Sequence, residues 1–141
     1  MTQRRPRRRP GENRERLLEA GLIEFGLFGY HGASTSAIAA RADVPQPHLY
    51  ASFATKRDLF LSCCARAFAV PADDARDGKT GRTTVPHTDR DRLLLQAVAV
   101  ARDPQLQEAL DPMMQRFIAH SGETLSALLE GAAASLLRTD A

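Results

Sequence analysis

Five arginines near the start of the chain form its densest group of like charges. They are Arg4, Arg5, Arg7, Arg8 and Arg9, with no acidic residue among them. Guanidinium groups match the geometry of phosphate oxygens, so this run has the chemistry of a polyanion-binding arm. Pro6 and Pro10 prevent a regular helix here. The alternative interpretation is a solvated, disordered terminus.

The remaining reactive side chains do not form a catalytic or metal-binding pattern. Cys63 and Cys64 are adjacent and predict no disulfide framework, and a thiol sensor is a weaker interpretation than two inert, buried side chains. The four histidines lie far apart in sequence, without partners at the spacing of metal ligands. His120 precedes Ser121, but no acid orients the pair and no glycine-rich phosphate loop occurs. We therefore expect no metal, no cofactor and no enzymatic activity.

Length and composition favour a soluble helical protein of one domain or two small units. The chain has 141 residues, is 43% hydrophobic and contains no apolar run near the ~18 residues that a membrane span needs. No secretory signal follows the arginine run, so the cytoplasm is the expected location. Residues 1–70 hold 11 basic and 6 acidic residues, whereas residues 71–141 hold 8 and 11. The two halves are therefore expected to meet different partners.

The first half predicts four helices. Apolar residues recur at helical spacing from Asn13 to Phe28, and Gly29 can close that helix in a left-handed conformation. Ser34 or Thr35 can cap a short second helix, and a third, 46–53, follows the helix-breaking residues 43–45. Two short helices joined by a tight turn are typical of a DNA-binding helix-turn-helix. Thr55 can cap a fourth helix, which ends before Pro71.

The second half predicts a linker followed by a small helical region. Residues 71–88 contain almost nothing apolar, and we place the domain boundary there. Helices then start near Asp89 and near Asp103, and Pro112 is expected to kink or restart the second of these. A last helix spans 123–137. The predicted fold is all α, with an arm at 1–12, a DNA-binding domain at 13–70, the linker at 71–88 and a dimerisation or regulatory region at 89–138.

Residues 14–68 resemble the DNA-binding domain of the TetR family of bacterial transcription regulators. The resemblance rests on FGYHGAS leading into TSAIAARADV, then QPHLYASF and TKRDLF, in the family's order and spacing. It implies that 46–52 is a recognition helix that enters the major groove of DNA. It also implies a sequence-specific regulator, usually a repressor, that forms dimers and responds to a small-molecule effector or another partner.

The resemblance implies a role for each exposed residue of the recognition helix. Gln46 can bond an adenine edge in bidentate fashion, Pro47 can contact a thymine methyl group, and His48 points to solvent. Tyr50 can reach a phosphate through its hydroxyl group. The alternatives are ordinary exposed polarity for Gln46 and His48, and for Tyr50 a place in the core beside Phe28, Ile38 and Phe53.

Two further residues match phosphate-binding positions of the family. Lys56 lies in the first turn of the fourth helix, where main-chain N–H groups and the helix dipole favour an anion. Thr35, at the start of the second helix, is the other candidate. The chain departs from the family pattern at Asp43, where glycine is usual, at Pro45 in place of a serine cap, and at Ala51 and Ser52, which lower the expectation of base contacts. The arginine arm can offset this by attracting phosphates.

The second half is shorter than is usual in the family. The small residues at 131–134 permit close approach of a second copy, so a homodimer through the C-terminal helices is expected. A dimer presents two recognition helices about 34 Å apart and predicts a pseudo-palindromic operator in double-stranded DNA. The competing hypothesis is an interaction protein that pairs with a full-length relative and binds DNA poorly. A nonfunctional shortened chain is a third.

Overall fold

The computed structural model describes residues 8–9, 11–69, 87–121 and 125–137, and every regular element in these ranges is an α-helix. The helices are α1 (Glu12–Gly32), α2 (Thr35–Ala42), α3 (Gln46–Ser52), α4 (Lys56–Phe68), α5 (His87–Ala99), α6 (Gln107–Ser121) and α7 (Leu125–Leu137). The all-α prediction is confirmed. Among the residues that the structure describes, no helix is long and apolar enough to cross a membrane.

Helix α1 is the centre of the fold, with α2, α3, α4 and α5 packed around it. Its apolar residues recur every three or four positions, so Leu18, Leu22 and Phe25 lie in the core together with Leu17. The helix geometry breaks at Gly29, whose φ of 74° and ψ of 173° are open only to glycine. Gly29 thus interrupts α1 with a positive φ, as the sequence suggested, but it does not end the helix, which continues to Gly32.

Helices α2 and α3 form the predicted helix-turn-helix. Ser34 is the cap of α2, since its Oγ accepts a hydrogen bond from the Ala37 N–H at 3.1 Å. Asp43 ends α2 in the left-handed conformation, with φ 52° and ψ 44°. The chain then passes through the buried Val44 and enters α3, which Leu49 attaches to the core.

Helix α4 completes the first half of the structure. Thr55 caps it by accepting the N–H of Asp58 at 3.1 Å, as predicted. Phe60 packs edge-on against Phe25 with ring centroids 5.0 Å apart, and lies equally close to Tyr30. This aromatic cluster fixes α4 against α1, and such ring pairs add about 0.5–1.5 kcal/mol beyond the area that they bury.

The second half packs onto this unit through α5, whose Leu93 and Ala97 are fully buried. Helix α5 lies along α1, α6 contacts α4, and α7 contacts α5. Helix α5 begins at His87, so Asp89 lies in its first turn and not at the cap. Asp103 does start a turn before α6, because its Oδ1 accepts the Gln105 N–H at 2.9 Å.

Pro112 does not restart the helix in which it lies, so that part of the sequence prediction was wrong. Helix α6 is a single element from Gln107 to Ser121 with Pro112 inside it. The proline removes one main-chain hydrogen bond. Leu110 before it and Phe117 after it are both buried on one face. Burial of this continuous apolar face therefore holds the helix across the proline.

Phe28 and Tyr50 do not lie in the core, which was one of the two interpretations of Tyr50 that the sequence allowed. Phe28 is 58% exposed and Tyr50 is 48% exposed, so neither completes the core beside Ile38 and Phe53. The break at Gly29 ends the regular helix just after Phe28. The predicted linker at 71–88 and the residues Arg4, Arg5 and Arg7 lie outside the described residues, apart from the start of α5.

Replacing Gly29 with alanine is predicted to destabilise the protein. An added Cβ would lie 2.9 Å from Gln96 Oε1, and the positive φ is strained for any side chain. We expect a loss of about 1–3 kcal/mol in the free energy of unfolding, measured by urea denaturation. Gly32→Ala is the matched control, because its Cβ would make ordinary contact at 3.4 Å from Phe28 Cβ. Equal losses for the two variants would contradict this account of Gly29.

The two cysteines are core side chains. Both are fully buried, and the Cys63 Sγ lies 3.6 Å from the Leu18 carbonyl oxygen. Burial raises the pKa of the Cys63 thiol to about 12 and raises the pKa of Cys64 well above its ordinary value. Because the thiolate is the reactive form, neither side chain is suited to redox sensing.

The native protein is therefore predicted to resist thiol reagents at pH 8. With a pKa of about 12, roughly one Cys63 in 10⁴ is ionised at that pH. Ellman's reagent should modify both thiols quickly in denaturing urea and at least a hundredfold more slowly in buffer. Modification of the native protein at the rate of the unfolded chain would show that the thiols are accessible.

Candidate nucleic-acid interface

The outer face of α3 consists of exposed polar and small side chains. Gln46, Pro47, His48 and Tyr50 are all exposed, whereas Leu49 is completely buried. Pro45 provides no side-chain cap, but its carbonyl oxygen accepts the N–H groups of His48 and Leu49, at 2.9 and 3.3 Å. The loss of a serine cap at this position is therefore compatible with a formed helix.

Thr35 connects both ends of α3 to the start of α2. Its Oγ1 lies 3.0 Å from the Tyr50 hydroxyl oxygen and accepts the Gln46 side-chain amide at 3.3 Å. Three of the residues predicted from the sequence thus meet in one exposed hydrogen-bonded group. This group orients Gln46 and Tyr50 on the surface that α3 shares with the first turn of α2.

Lys56 lies at the start of α4, beside the segment that leads into α2. Its Nζ is 3.5 Å from the His31 carbonyl oxygen and 5.1 Å from the centre of the Tyr30 ring. Partial burial lowers the pKa of the Lys56 ammonium group. The ammonium is therefore held in place by weak acceptors and an aromatic face, and an anion would be a stronger partner.

The described arginines of the arm are close to the helix-turn-helix. Arg8 Nη2 lies 2.9 Å from Asp43 Oδ2, and its Nη1 donates to the Asp43 carbonyl oxygen at 2.7 Å. The Arg9 main-chain N–H donates to Glu12 Oε2 at 3.2 Å. Arg8, predicted from the sequence as a phosphate contact, is thus engaged with the protein itself.

The sequence did not reveal how the second half reaches this surface. His31 Nε2 lies 3.1 Å from Asp103 Oδ2, and Arg57 Nε donates to the Gln105 carbonyl oxygen at 2.6 Å. Asp103 also raises the pKa of the neighbouring Tyr30, after the larger effect of burial. The turn between α5 and α6 is therefore attached next to Lys56. No periodicity could have indicated these contacts, because the paired residues are 72 and 48 positions apart.

The structure brings together only part of the predicted set. Gln46 and Tyr50 are each hydrogen-bonded to Thr35, and Pro47 and His48 are exposed on the same helix. Lys56 instead contacts the His31 carbonyl oxygen, in the segment that leads into α2. Within the described ranges, no group of three His, Cys, Asp or Glu side chains is placed to hold a metal ion.

Comparison with known proteins agrees with this geometry. Residues 17–63 match the family model for bacterial regulatory proteins of the tetR family. The HTH-type transcriptional repressor KstR of Rhodococcus jostii is 36% identical over 101 residues, which are 70% of this chain and 46% of KstR. The uncharacterised HTH-type transcriptional regulator YdgC of Bacillus subtilis is 41% identical over 49 residues, 35% of this chain and 25% of YdgC.

The chain thus spans less than half the length of these curated relatives. Among solved structures, the multidrug binding protein EbrR, crystallised with imidazole, is similar over 99% of this chain and 89% of its own. The TM-score is 0.50 at 23% identity, so the similarity concerns the fold alone. The matched segment contains all of α2 and α3 and most of α1 and α4. Residues 17–63 of the chain therefore carry the helix-turn-helix domain of the tetR family of bacterial regulatory proteins.

Proposed function

We propose that this chain is a DNA-binding transcriptional regulator that inserts α3 into the major groove of double-stranded DNA. The observation that carries the proposal is the presentation of α3. Leu49 is fully buried, while Gln46, Pro47 and His48 face solvent at the N-terminal end of the helix. Side chains at that end of a recognition helix are the ones that reach base edges.

The surroundings of α3 supply the contacts to the DNA strands. Thr35 and Tyr50 present hydroxyl groups beside Gln46, and hydroxyl and main-chain N–H groups are common phosphate ligands. Lys56 adds a positive charge in the first turn of α4, where the helix dipole favours an anion. We assign base contacts to Gln46, Pro47 and His48. We assign phosphate contacts to Thr35, Tyr50 and Lys56, together with the arginines of the arm other than Arg8.

Repression is the direction of regulation that we propose. The relative KstR is named as a transcriptional repressor and is 36% identical over 101 residues. A protein that occupies the major groove at a promoter excludes other proteins from the same DNA. This mode of action needs no surface beyond the interface itself.

We further propose that the protein acts as a homodimer on a pseudo-palindromic operator. Helix α7 packs on α5 through the buried Ala132, whereas Gly131 and Leu137 are exposed. Leu137 is 80% exposed, and a Cβ added at Gly131 would meet no atom within 4 Å. A glycine on an open helix face permits another helix to approach closely. Two copies joined in this way would present their α3 helices to successive half-sites.

Relief of repression by an effector would need a space in which a small molecule can bind. An apolar cavity lined by Leu94, Met114 and Leu129, among others, from α5, α6 and α7 measures only about 20 Å³, far below the several hundred that a drug-sized ligand fills. A neighbouring groove of about 340 Å³ is lined by Ala65, Phe68, Met113, Arg116 and Phe117, among others. A small ligand with an apolar body would fit this groove, and movement of α4 would carry Lys56 with it.

Two substitutions are predicted to separate base recognition from phosphate binding in gel-shift titrations on the gene's own upstream DNA. Lys56→Ala should weaken binding to all duplexes and reduce the slope of log affinity against log salt by about 0.9. Gln46→Ala should keep the slope and lose about 1–3 kcal/mol of discrimination at one base pair. Tyr50→Phe removes the hydroxyl contact to Thr35 and should weaken binding without loss of folding.

The control is Gln115→Ala, which makes the same change of side chain at an exposed position of α6. This variant should bind the duplex as the wild type does. A wild-type protein that shifts no duplex at low salt would contradict DNA binding. That result would favour the alternative, an interaction protein that pairs with a full-length relative.

Gly131→Arg is predicted to dissociate the dimer while each protomer stays folded. The side chain has open space in the protomer but would block the close approach of a second α7. Sedimentation at micromolar concentration should show a dimer for the wild type and for Gly131→Ala, and a monomer for Gly131→Arg. A wild type that sediments as a monomer would contradict the proposed assembly.

A further inference from the structure

In the turn between α2 and α3, the residue with the left-handed conformation is an aspartate and not a glycine. Asp43 has φ 52° and is the one non-glycine residue with positive φ in the described ranges. Its N–H bonds to the carbonyl oxygens of Ala39 and Ala40, which closes α2. The conformation is costly for a residue with a Cβ, although aspartate tolerates it better than most. The direction in which α3 leaves α2 depends on this one residue.

Arg8 holds Asp43 at two different points. Its Nη1 donates to the main-chain carbonyl oxygen of Asp43 at 2.7 Å, and its Nη2 lies 2.9 Å from the carboxylate Oδ2. The same Nη1 also donates to Asn13 Oδ1, at 3.1 Å, on the first turn of α1. One planar guanidinium therefore joins the start of α1 to both the main chain and the side chain of the turn. A lysine ammonium, with a single nitrogen, does not reproduce this fork.

The main chain around Arg8 is itself fixed to α1. The Glu12 N–H donates to the Arg9 carbonyl oxygen at 3.1 Å, and the Arg9 N–H donates to Glu12 Oε2. Gly11, with φ 83°, allows the chain to make this turn before the helix begins. The Arg8 side chain is 24% exposed. The main chain next to Arg8 is thus held by Glu12, and the Arg8 guanidinium is bonded to Asp43.

We propose that Arg8 is a positioning residue, which stabilises the left-handed Asp43 turn and thereby sets the orientation of α3. This inference rests on the proposed DNA binding and corrects the role expected for Arg8 from the arginine run. From the sequence alone, Arg8 is one of five equivalent candidates for phosphate contact. In the structure its two terminal nitrogens are already engaged by Asp43 and Asn13.

The test is a set of full-length variants titrated with the upstream duplex at several salt concentrations. Arg8→Ala should reduce affinity roughly fivefold with the salt slope unchanged, and Arg8→Lys should behave like it. Arg9→Ala removes a neighbouring arginine of the arm and should lower the slope by about 0.9. Asp43→Gly supplies a residue that adopts positive φ without support. In that background Arg8→Ala should change affinity less than twofold.

Urea denaturation of the same variants makes the test independent of DNA binding. Arg8→Ala should lower the urea midpoint in the wild-type background and leave it nearly unchanged in the Asp43→Gly background. If no variant binds DNA, the proposed function fails, and the midpoints still decide whether Arg8 supports the turn. Equal effects of Arg8→Ala in the two backgrounds, no effect in either, or a fall of about 0.9 in its salt slope would overturn the proposal.

Discussion

The burial of Leu49 holds α3 against the core and leaves the opposite face of this helix exposed. Helix α3 has seven residues, too few to be stable alone in water, so its structure depends on tertiary contacts. Leu49 is its one fully buried side chain among otherwise exposed neighbours, and it anchors the helix beneath the surface that we assign to DNA. The Phe53 N–H, which bonds to the Leu49 carbonyl oxygen at 2.8 Å, ends the helix directly above the core. A rigid base and an exposed outer face are the two requirements for a side chain to read a groove.

The same first half of the chain also connects the interface to the rest of the molecule. Arg41 on α2 pairs with Glu24 on α1 at 2.8 Å, and Glu24 is only 6% exposed. Loss of Arg41 would leave the buried Glu24 carboxylate without this partner, so the pair helps to fix α2 relative to α1. On the other side, His31 and Arg57 hold the turn between α5 and α6. The second half is thus attached to the segment beside Lys56.

The sequence was sufficient for the features that depend on local pattern. Helical spacing predicted the first helix, Ser34 and Thr55 were candidate caps of α2 and α4, and the break at 43–45 predicted the turn. It was not sufficient where distant residues decide. Tyr50 is bonded to Thr35, in another helix, and Arg8 is bonded to Asp43, 35 positions away. The helix continues across Pro112 because its apolar face is buried against other helices. Such contacts follow from packing, which no local spacing encodes.

We propose that α3 and its immediate neighbours form the DNA-binding surface. Nuclear magnetic resonance offers the most direct measurement, with ¹⁵N-labelled full-length protein titrated with a duplex from its own upstream region. We expect the largest amide shifts in residues 34–36, 46–52 and 55–57, with α6 almost unaffected. Shifts centred on α6 or α7, with α3 unchanged, would contradict it.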